Sequence, residues 1–139
     1  MPIFFHNEDV IFTLQNKNAK KRWLLGVVSS FDFKVGDINV VFCSDNYLLD
    51  INKQYLSHDY YTDIITFNYC KDNTISGDLF ISVDRVEENA VKSKTSFLLE
   101  INRVIVHGVL HLCGFNDKTP NEKREMRELE NKFLTILNN

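Results

Sequence analysis

Two histidines four residues apart are the residues of this chain best suited to chemistry. His107 and His111 lie in residues 104–115, a stretch that is otherwise almost wholly apolar. On a helix, that spacing places both imidazoles on one face, about one turn apart. Gly114 follows the second histidine by three residues and can end the helix in a left-handed conformation. Asp117, three residues further on, can then supply a third ligand to the same ion.

This order of residues predicts a metal site with a catalytic role for its three ligands. His-x3-His-x2-Gly-x2-ligand is the metzincin spacing, a more demanding pattern than a histidine pair alone. Two neutral imidazoles and a carboxylate favour one Zn²⁺ per chain and leave a fourth position for water. Similar ligand sets bind Ni²⁺, Co²⁺ or Fe²⁺, so the spacing does not identify the metal.

The residue after the first histidine bears on the reaction. In His-Glu-x-x-His peptidases this position holds the glutamate that acts as general base. Here it is Gly108, so amide hydrolysis is the less expected chemistry. Hydrolysis of a phosphodiester asks mainly for a metal that activates water or stabilises charge on the phosphoryl oxygens. The sequence therefore favours RNA or another phosphate ester over a peptide.

A long helix must position the histidines. Apolar residues cover most of residues 96–113, which predicts a central, buried helix. One polar stripe runs along it: Glu100, Arg103, His107, His111 and Gly114. Buried polar groups need partners or a cleft. Arg103 can form an ion pair with Glu100, the favoured interpretation, or reach into the cleft towards phosphate as a catalytic residue.

The remaining elements predict one α+β (mixed α/β) domain over residues 1–139, with a small mixed sheet packed by helices. Strands are expected at residues 38–43, 63–67 and 77–83, with an edge strand or two formed by residues 3–5 and 10–12. Helices are expected at residues 17–30, after an N-cap at Ser44, at residues 85–94 behind an Asp84/Glu87 capping box, and after the Thr119–Glu122 box.

Composition indicates a soluble globular protein. The net charge of −3 gives no general electrostatic attraction to nucleic acid, so an anionic substrate must be met locally. The three cysteines are widely spaced and predict reduced thiols. With no signal peptide or membrane-spanning run in the sequence, we expect a cytoplasmic protein without membrane partners.

Residues 107–115 resemble the signature of the YbeY endoribonucleases, the bacterial rRNA maturation factors. Three further segments agree with this family in order and spacing: residues 51–55 followed by 62–67, residues 77–82, and Met126 with Glu130. The resemblance covers most of the chain from about Asp37 onward. It implies a Zn²⁺-dependent endoribonuclease specific for single strands. It also implies a role in maturation of the 3′ end of 16S rRNA and in ribosome quality control, with the small ribosomal subunit as partner.

The chain departs from the family pattern at two positions. The family commonly has a third histidine where this chain has Asp117. A one-residue insertion would instead align Lys118 with that histidine, but a protonated lysine cannot bind a metal, which favours Asp117. The second departure is Leu56, where many members carry an arginine suited to hold phosphate. His58, Lys53 or Arg103 could replace it.

Two other carboxylates are candidates for supporting roles. Asp63 is either a turn residue or a functional carboxylate, and Asp78 could orient a histidine through its free ring nitrogen. Two other functions stay open: a metalloprotease with a displaced base, and a ribosome assembly factor whose metal is structural. The sequence does not indicate the general base, the cleavage position or the oligomeric state.

Overall fold

A four-stranded mixed sheet is the frame of the protein, whose computed structural model describes residues 2–137. The strands are β1 (Ile3–Asn7), β2 (Lys34–Cys43), β3 (Ile64–Asn68) and β4 (Thr74–Ser82). Their order across the sheet is β1-β2-β4-β3, in which β3 is antiparallel to β4 and the other pairs are parallel. The helices in the same part of the chain are α1 (Lys17–Ser29), α2 (Asp45–Leu56), α3 (Val83–Lys92), α4 (Phe97–Leu112) and α5 (Pro120–Leu137). The predicted mixed α/β fold is confirmed.

The main core lies between one face of the sheet and helix α4. Leu79 and Ile81 of β4 point into this core and are fully buried. They share this core with apolar residues of α4 such as Ile105 and Val109, while α1 packs on the sheet beside α4 and α5 packs against both helices. Because every turn of α4 contributes to this core, its position relative to the sheet is fixed, and so is the direction in which its polar stripe faces. The prediction of a central buried helix is correct.

The opposite face of the sheet carries a smaller apolar cluster. Leu48 of α2 packs there with Cys43 and Ile65, and Phe67 and Phe80 pack against the cluster from the sheet. Strand residues alternate between the two faces, so residues two apart in β4 share a face. Asp78 therefore lies on the same side as Phe80, away from α4.

Helices α2, α3 and α4 each begin at a serine N-cap. Ser44 and Ser96 accept hydrogen bonds from the backbone N–H groups of Tyr47 and Leu99, as expected for N-caps. The capping box predicted at Asp84 and Glu87 is wrong. Helix α3 begins earlier, where the Ser82 hydroxyl accepts a hydrogen bond from the N–H of Arg85. The box at Thr119 and Glu122 is confirmed by reciprocal hydrogen bonds.

The predicted strand at residues 10–12 does not form. The Asn7 side chain donates a hydrogen bond to the carbonyl of Phe12, 2.7 Å away, and folds this segment into a loop. The Phe12 ring packs edge-on against Phe42 in the core, with 4.8 Å between centroids. Val10 and Phe12 of this segment pack against the core instead of pairing in a strand, and Ile11 is fully exposed. None of the helices in residues 2–137 has the length and apolar character needed to cross a membrane.

Candidate metal centre

The two histidines of α4 and the carboxylate of Asp117 converge at one point. Nε2 of His107 lies 3.0 Å from Nε2 of His111. Oδ2 of Asp117 lies 3.2 Å from the first of these nitrogens and 3.3 Å from the second. A tetrahedral zinc ion with bonds of about 2.0–2.1 Å needs ligand atoms about 3.3 Å apart. The three atoms therefore fit one face of such a tetrahedron, and they form a group able to hold a metal ion.

Gly114 turns the chain so that Asp117 returns to the histidines. Its φ of 103° lies in the region that residues with a side chain rarely adopt. Its N–H donates to the carbonyl of His111, and the N–H of Phe115 donates to that of Leu110. These two hydrogen bonds close the end of α4 as a tight turn, so the expected role of this glycine is confirmed. Lys118 is exposed and is not part of the ligand group.

Glu130 of α5 fixes the orientation of the first histidine. Its Oε2 accepts a hydrogen bond of 2.7 Å from Nδ1 of His107. When the imidazole is neutral, that bond places its proton on Nδ1 and leaves Nε2 as a lone-pair donor towards the metal. Burial raises the pKa of Glu130, but hydrogen bonds from His107 and Arg103 reverse this effect and hold the pKa below its ordinary value. The carboxylate is therefore kept charged beside the histidine.

The pKa of His107 reflects the same surroundings. Burial alone lowers it, but the hydrogen bond and charge of Glu130 oppose burial, as do the charges of Asp117 and Asp63. The sum leaves the pKa above its ordinary value. Negative charge around this imidazole thus favours a cation, either a proton on the ring or a metal ion at Nε2.

Arg103 pairs with Glu130 rather than with Glu100, which corrects the expected ion pair. Its Nη1 lies 3.0 Å from Oε1 of Glu130, whose side chain is only 6% exposed. Glu130 therefore accepts a hydrogen bond from Arg103 on one carboxylate oxygen and one from His107 on the other. In this structure the arginine contacts the group that orients a ligand.

An open cavity of about 370 Å³ lies in front of the three ligands. Helix α2 contributes Asn52 and Leu56, the loop after it contributes His58, Tyr60 and Asp63, and β3 supplies the remaining wall. The side chains of His107, His111 and Asp117 are between 22% and 39% exposed, so the cavity reaches them from solvent. A site with three ligands and solvent access is typical of catalytic rather than structural zinc.

Asp63 is the candidate carboxylate that the structure brings to this cavity. It lines the cavity with His107, and its Oδ2 accepts a hydrogen bond of 3.3 Å from Asn89. Burial raises the pKa of its carboxyl, and the charge of His107 works against that rise. Asp78 does not orient a histidine. Its carboxylate accepts a hydrogen bond from Asn39 on the opposite face of the sheet, and Glu130 has the role expected of Asp78.

Of the three candidates to replace the missing arginine, only His58 lines the cavity with Leu56. Lys53 forms an exposed ion pair with Asp59, 3.5 Å away, and Arg103 is held by Glu130. Sequence reasoning assigned no role to Glu130 or Tyr60. A signal existed for Glu130, because it lies on the otherwise apolar face of α5 between Met126 and Phe133, where a carboxylate needs a partner.

Gly108 faces the sheet rather than the cavity. A Cβ atom at this position would lie 2.7 Å from Cδ1 of Ile64 and 2.9 Å from Cδ1 of Leu79, closer than side chains pack. Leu79 is fully buried and has little freedom to move aside. The fold therefore leaves no room here for the glutamate that a His-Glu-x-x-His peptidase would need.

Comparison with known proteins agrees with this geometry. Residues 4–138 match the family model described as endoribonuclease YbeY. Proteins of that name from Parabacteroides distasonis and Bacteroides thetaiotaomicron are 50% and 46% identical to this chain. The alignments cover 99% and 98% of this chain, and 96% and 99% of the relatives. A solved solution structure of a Thermotoga maritima protein aligns with a TM-score of 0.69 at 25% identity, covering 97% of this chain and 88% of that one.

Proposed function

The chain belongs to the endoribonuclease YbeY family, and we propose that it is a metal-dependent endoribonuclease acting on single-stranded RNA. The observation that carries the proposal is the convergence of His107, His111 and Asp117 at an open cavity, in a chain whose relatives bear that name. Four sequence segments resemble the family and extend the proposal. The metal would be Zn²⁺, the substrate the 3′ region of 16S rRNA, the partner the small ribosomal subunit and the location the cytoplasm.

Each residue of the centre has a separate task in this proposal. His107, His111 and Asp117 would hold the ion, which supplies an activated water and positive charge for the phosphoryl oxygens. Glu130 would accept a hydrogen bond from Nδ1–H of His107, which keeps the lone pair of Nε2 free for the ion. Arg103 keeps Glu130 charged and in place, so its contribution to activity is through positioning.

The closed environment of Gly108 argues against the peptidase alternative. The base of that reaction would have to stand where Ile64 and Leu79 already pack. The open cavity argues against a purely structural metal, because structural zinc sites are closed by four protein ligands. Both alternatives are separated from the proposal by what the purified protein cleaves.

The test is cleavage of a single-stranded RNA by the zinc-loaded protein, beside the same RNA in a duplex and beside casein. We expect cuts in the single strand alone. Asp117→Ala should bind less metal and lose at least about tenfold in activity, since it removes one of three ligands. Lys118→Ala, which alters the exposed neighbour of that ligand, is the matched control and should act as the wild type. Cleavage of casein, or intact RNA with metal-loaded protein, would overturn the proposal.

A further inference from the structure

A pair of aromatic side chains stands at the wall of the metal cavity. The rings of His58 and Tyr60 are stacked, with 5.1 Å between centroids and 22° between planes. The Tyr60 hydroxyl lies 3.1 Å from Nδ1 of His58, within hydrogen-bonding distance. Both residues line the cavity that holds His107, His111 and Asp117, and Tyr60 is 56% exposed. Because both side chains are exposed, a third planar group in the cavity can reach the rings.

Helix α2 fixes this pair in place. The Nδ2 of Asn52 donates a hydrogen bond of 2.9 Å to the carbonyl of Tyr60. The N–H of His58 donates to the carbonyl of Asn52, and Ser57 adopts a left-handed conformation that ends the helix. Asn52 is only 2% exposed, so its surroundings and this hydrogen bond restrict its side chain. A ligand that stacks on the pair therefore binds to a segment already ordered, with a small entropic cost.

The lining of the cavity offers little positive charge to attract the phosphates of RNA. Among residues 2–137, no lysine or arginine lines it. Phosphate contacts from basic side chains ordinarily supply much of the affinity for nucleic acid. Stacking of bases on aromatic side chains is the other main source of affinity for single strands, and it tolerates any base.

We propose that the His58–Tyr60 pair is a stacking platform for one unpaired base of an RNA strand whose phosphate lies at the metal centre. This inference rests on the proposed endoribonuclease function and adds the means of holding the strand. A base inside a duplex is already stacked on both faces, so only an unpaired base can reach the platform. The platform thus gives a structural reason for preferring single strands.

The experiment measures the affinity of a short 2′-O-methyl RNA by fluorescence anisotropy, and gel electrophoresis of the same samples checks that the strand is intact, so that binding is observed apart from cleavage. Tyr60→Ala should weaken binding about 5- to 150-fold, the equivalent of the roughly 1–3 kcal/mol per stacked base. Tyr60→Phe, which keeps the ring, should retain most of the affinity. Tyr69→Ala removes an equally exposed tyrosine from a different groove and should bind as the wild type.

A series of oligonucleotides with one abasic site, moved along the strand, identifies the stacked base. One abasic position should weaken wild-type binding by the same factor as Tyr60→Ala and should weaken the variant no further. The fold loss of affinity caused by Tyr60→Ala should also be the same at high salt, because stacking is not ionic. Wild-type affinity in Tyr60→Ala, or equal losses in both proteins at every abasic position, would overturn the platform.

Cleavage kinetics separate this inference from the function on which it rests. Stacking holds substrate and transition state alike, so Tyr60→Ala should raise KM and leave kcat nearly unchanged. RNA cleavage by the wild type combined with an unchanged KM in the variant would refute the platform and leave the endoribonuclease. RNA left intact by the metal-loaded wild type would refute the endoribonuclease, whatever the binding series shows.

Discussion

Replacing Glu130 by glutamine tests whether α5 takes part in the metal centre. The substitution preserves the shape of the side chain and removes its negative charge. In the wild type, the carboxylate accepts hydrogen bonds from Nδ1 of His107 at 2.7 Å and from Nη1 of Arg103 at 3.0 Å. Glutamine has one acceptor oxygen, so it can serve one of the two donors while its amide group faces the other. About one charge-assisted hydrogen bond is lost, which is worth about 1.5–3 kcal/mol.

Part of that loss should appear in metal binding. Where the glutamine oxygen accepts from Arg103, the imidazole of His107 lacks its acceptor and is free to rotate or to place its proton on Nε2, and either change must be reversed before the ion binds. Loss of such a partner typically reduces metal affinity about 10- to 100-fold, or about 1.4–2.7 kcal/mol. We therefore expect the zinc affinity of Glu130→Gln to fall within that range and RNA cleavage to fall with it at limiting zinc.

The measurement is competition for zinc between the protein and a chromophoric chelator at neutral pH. Glu128→Gln is the matched control, because it makes the same change at an exposed position of the same helix. Urea unfolding of the metal-free proteins reports the structural share of the effect. If Glu130→Gln lowers the free energy of unfolding but binds zinc as tightly as the control, the carboxylate supports the fold alone and the reasoning is wrong.

Three further predictions follow from packing, linkage and burial. Gly108→Ala should lower the free energy of unfolding by about 1–3 kcal/mol, because its Cβ would overlap side chains of the sheet. Gly26→Ala is the control, since this glycine has open space around it in α1, and it should raise the free energy of unfolding by about 0.5–1 kcal/mol. Equal urea midpoints for the two variants would contradict the overlap. Chelation should lower the free energy of unfolding by about 2.7 kcal/mol when zinc was present at 100 times its Kd, and should leave a His107→Ala, His111→Ala double variant unchanged in calorimetry. Burial raises the pKa of Cys43 and of Cys113 to about 12, so mass spectrometry of the native protein after iodoacetamide treatment near pH 8 should find both thiols unmodified until denaturant is added.

Sequence periodicity predicted the elements whose signal is local. The apolar run of α4 and the spacing of its histidines determine both the helix and the face on which the two histidines lie, and both predictions are confirmed. The strand predicted at residues 10–12 failed because residue types common in strands are also common in cores. Only the hydrogen bond from Asn7 to Phe12 and the ring contacts decide between the two.

The partners of the site come from distant parts of the chain, and this is why sequence reasoning assigned them poorly. Arg103 lies one turn from Glu100, which makes that ion pair the natural expectation on an isolated helix. The actual partner, Glu130, is 27 residues away on α5, and the packing of α5 against α4 brings it there. Asp78 was assigned a role that required the other face of the sheet. Strand register, which one sequence does not reveal, determines that face.

The charge that a metal centre with Asp117 would carry bears on how RNA is held at the proposed His58–Tyr60 platform. A divalent ion held by two neutral histidines and Asp117 carries one net positive charge, one fewer than with three histidines. Asp63 lowers the local potential further, and no lysine or arginine within residues 2–137 lines the cavity to restore it. Attraction of a phosphodiester to such a site is therefore weaker than to a site with three neutral histidines and a nearby arginine. Since phosphate contacts would contribute less, a larger share of the affinity should come from the bases, and RNA binding measured by fluorescence anisotropy should depend only weakly on salt concentration.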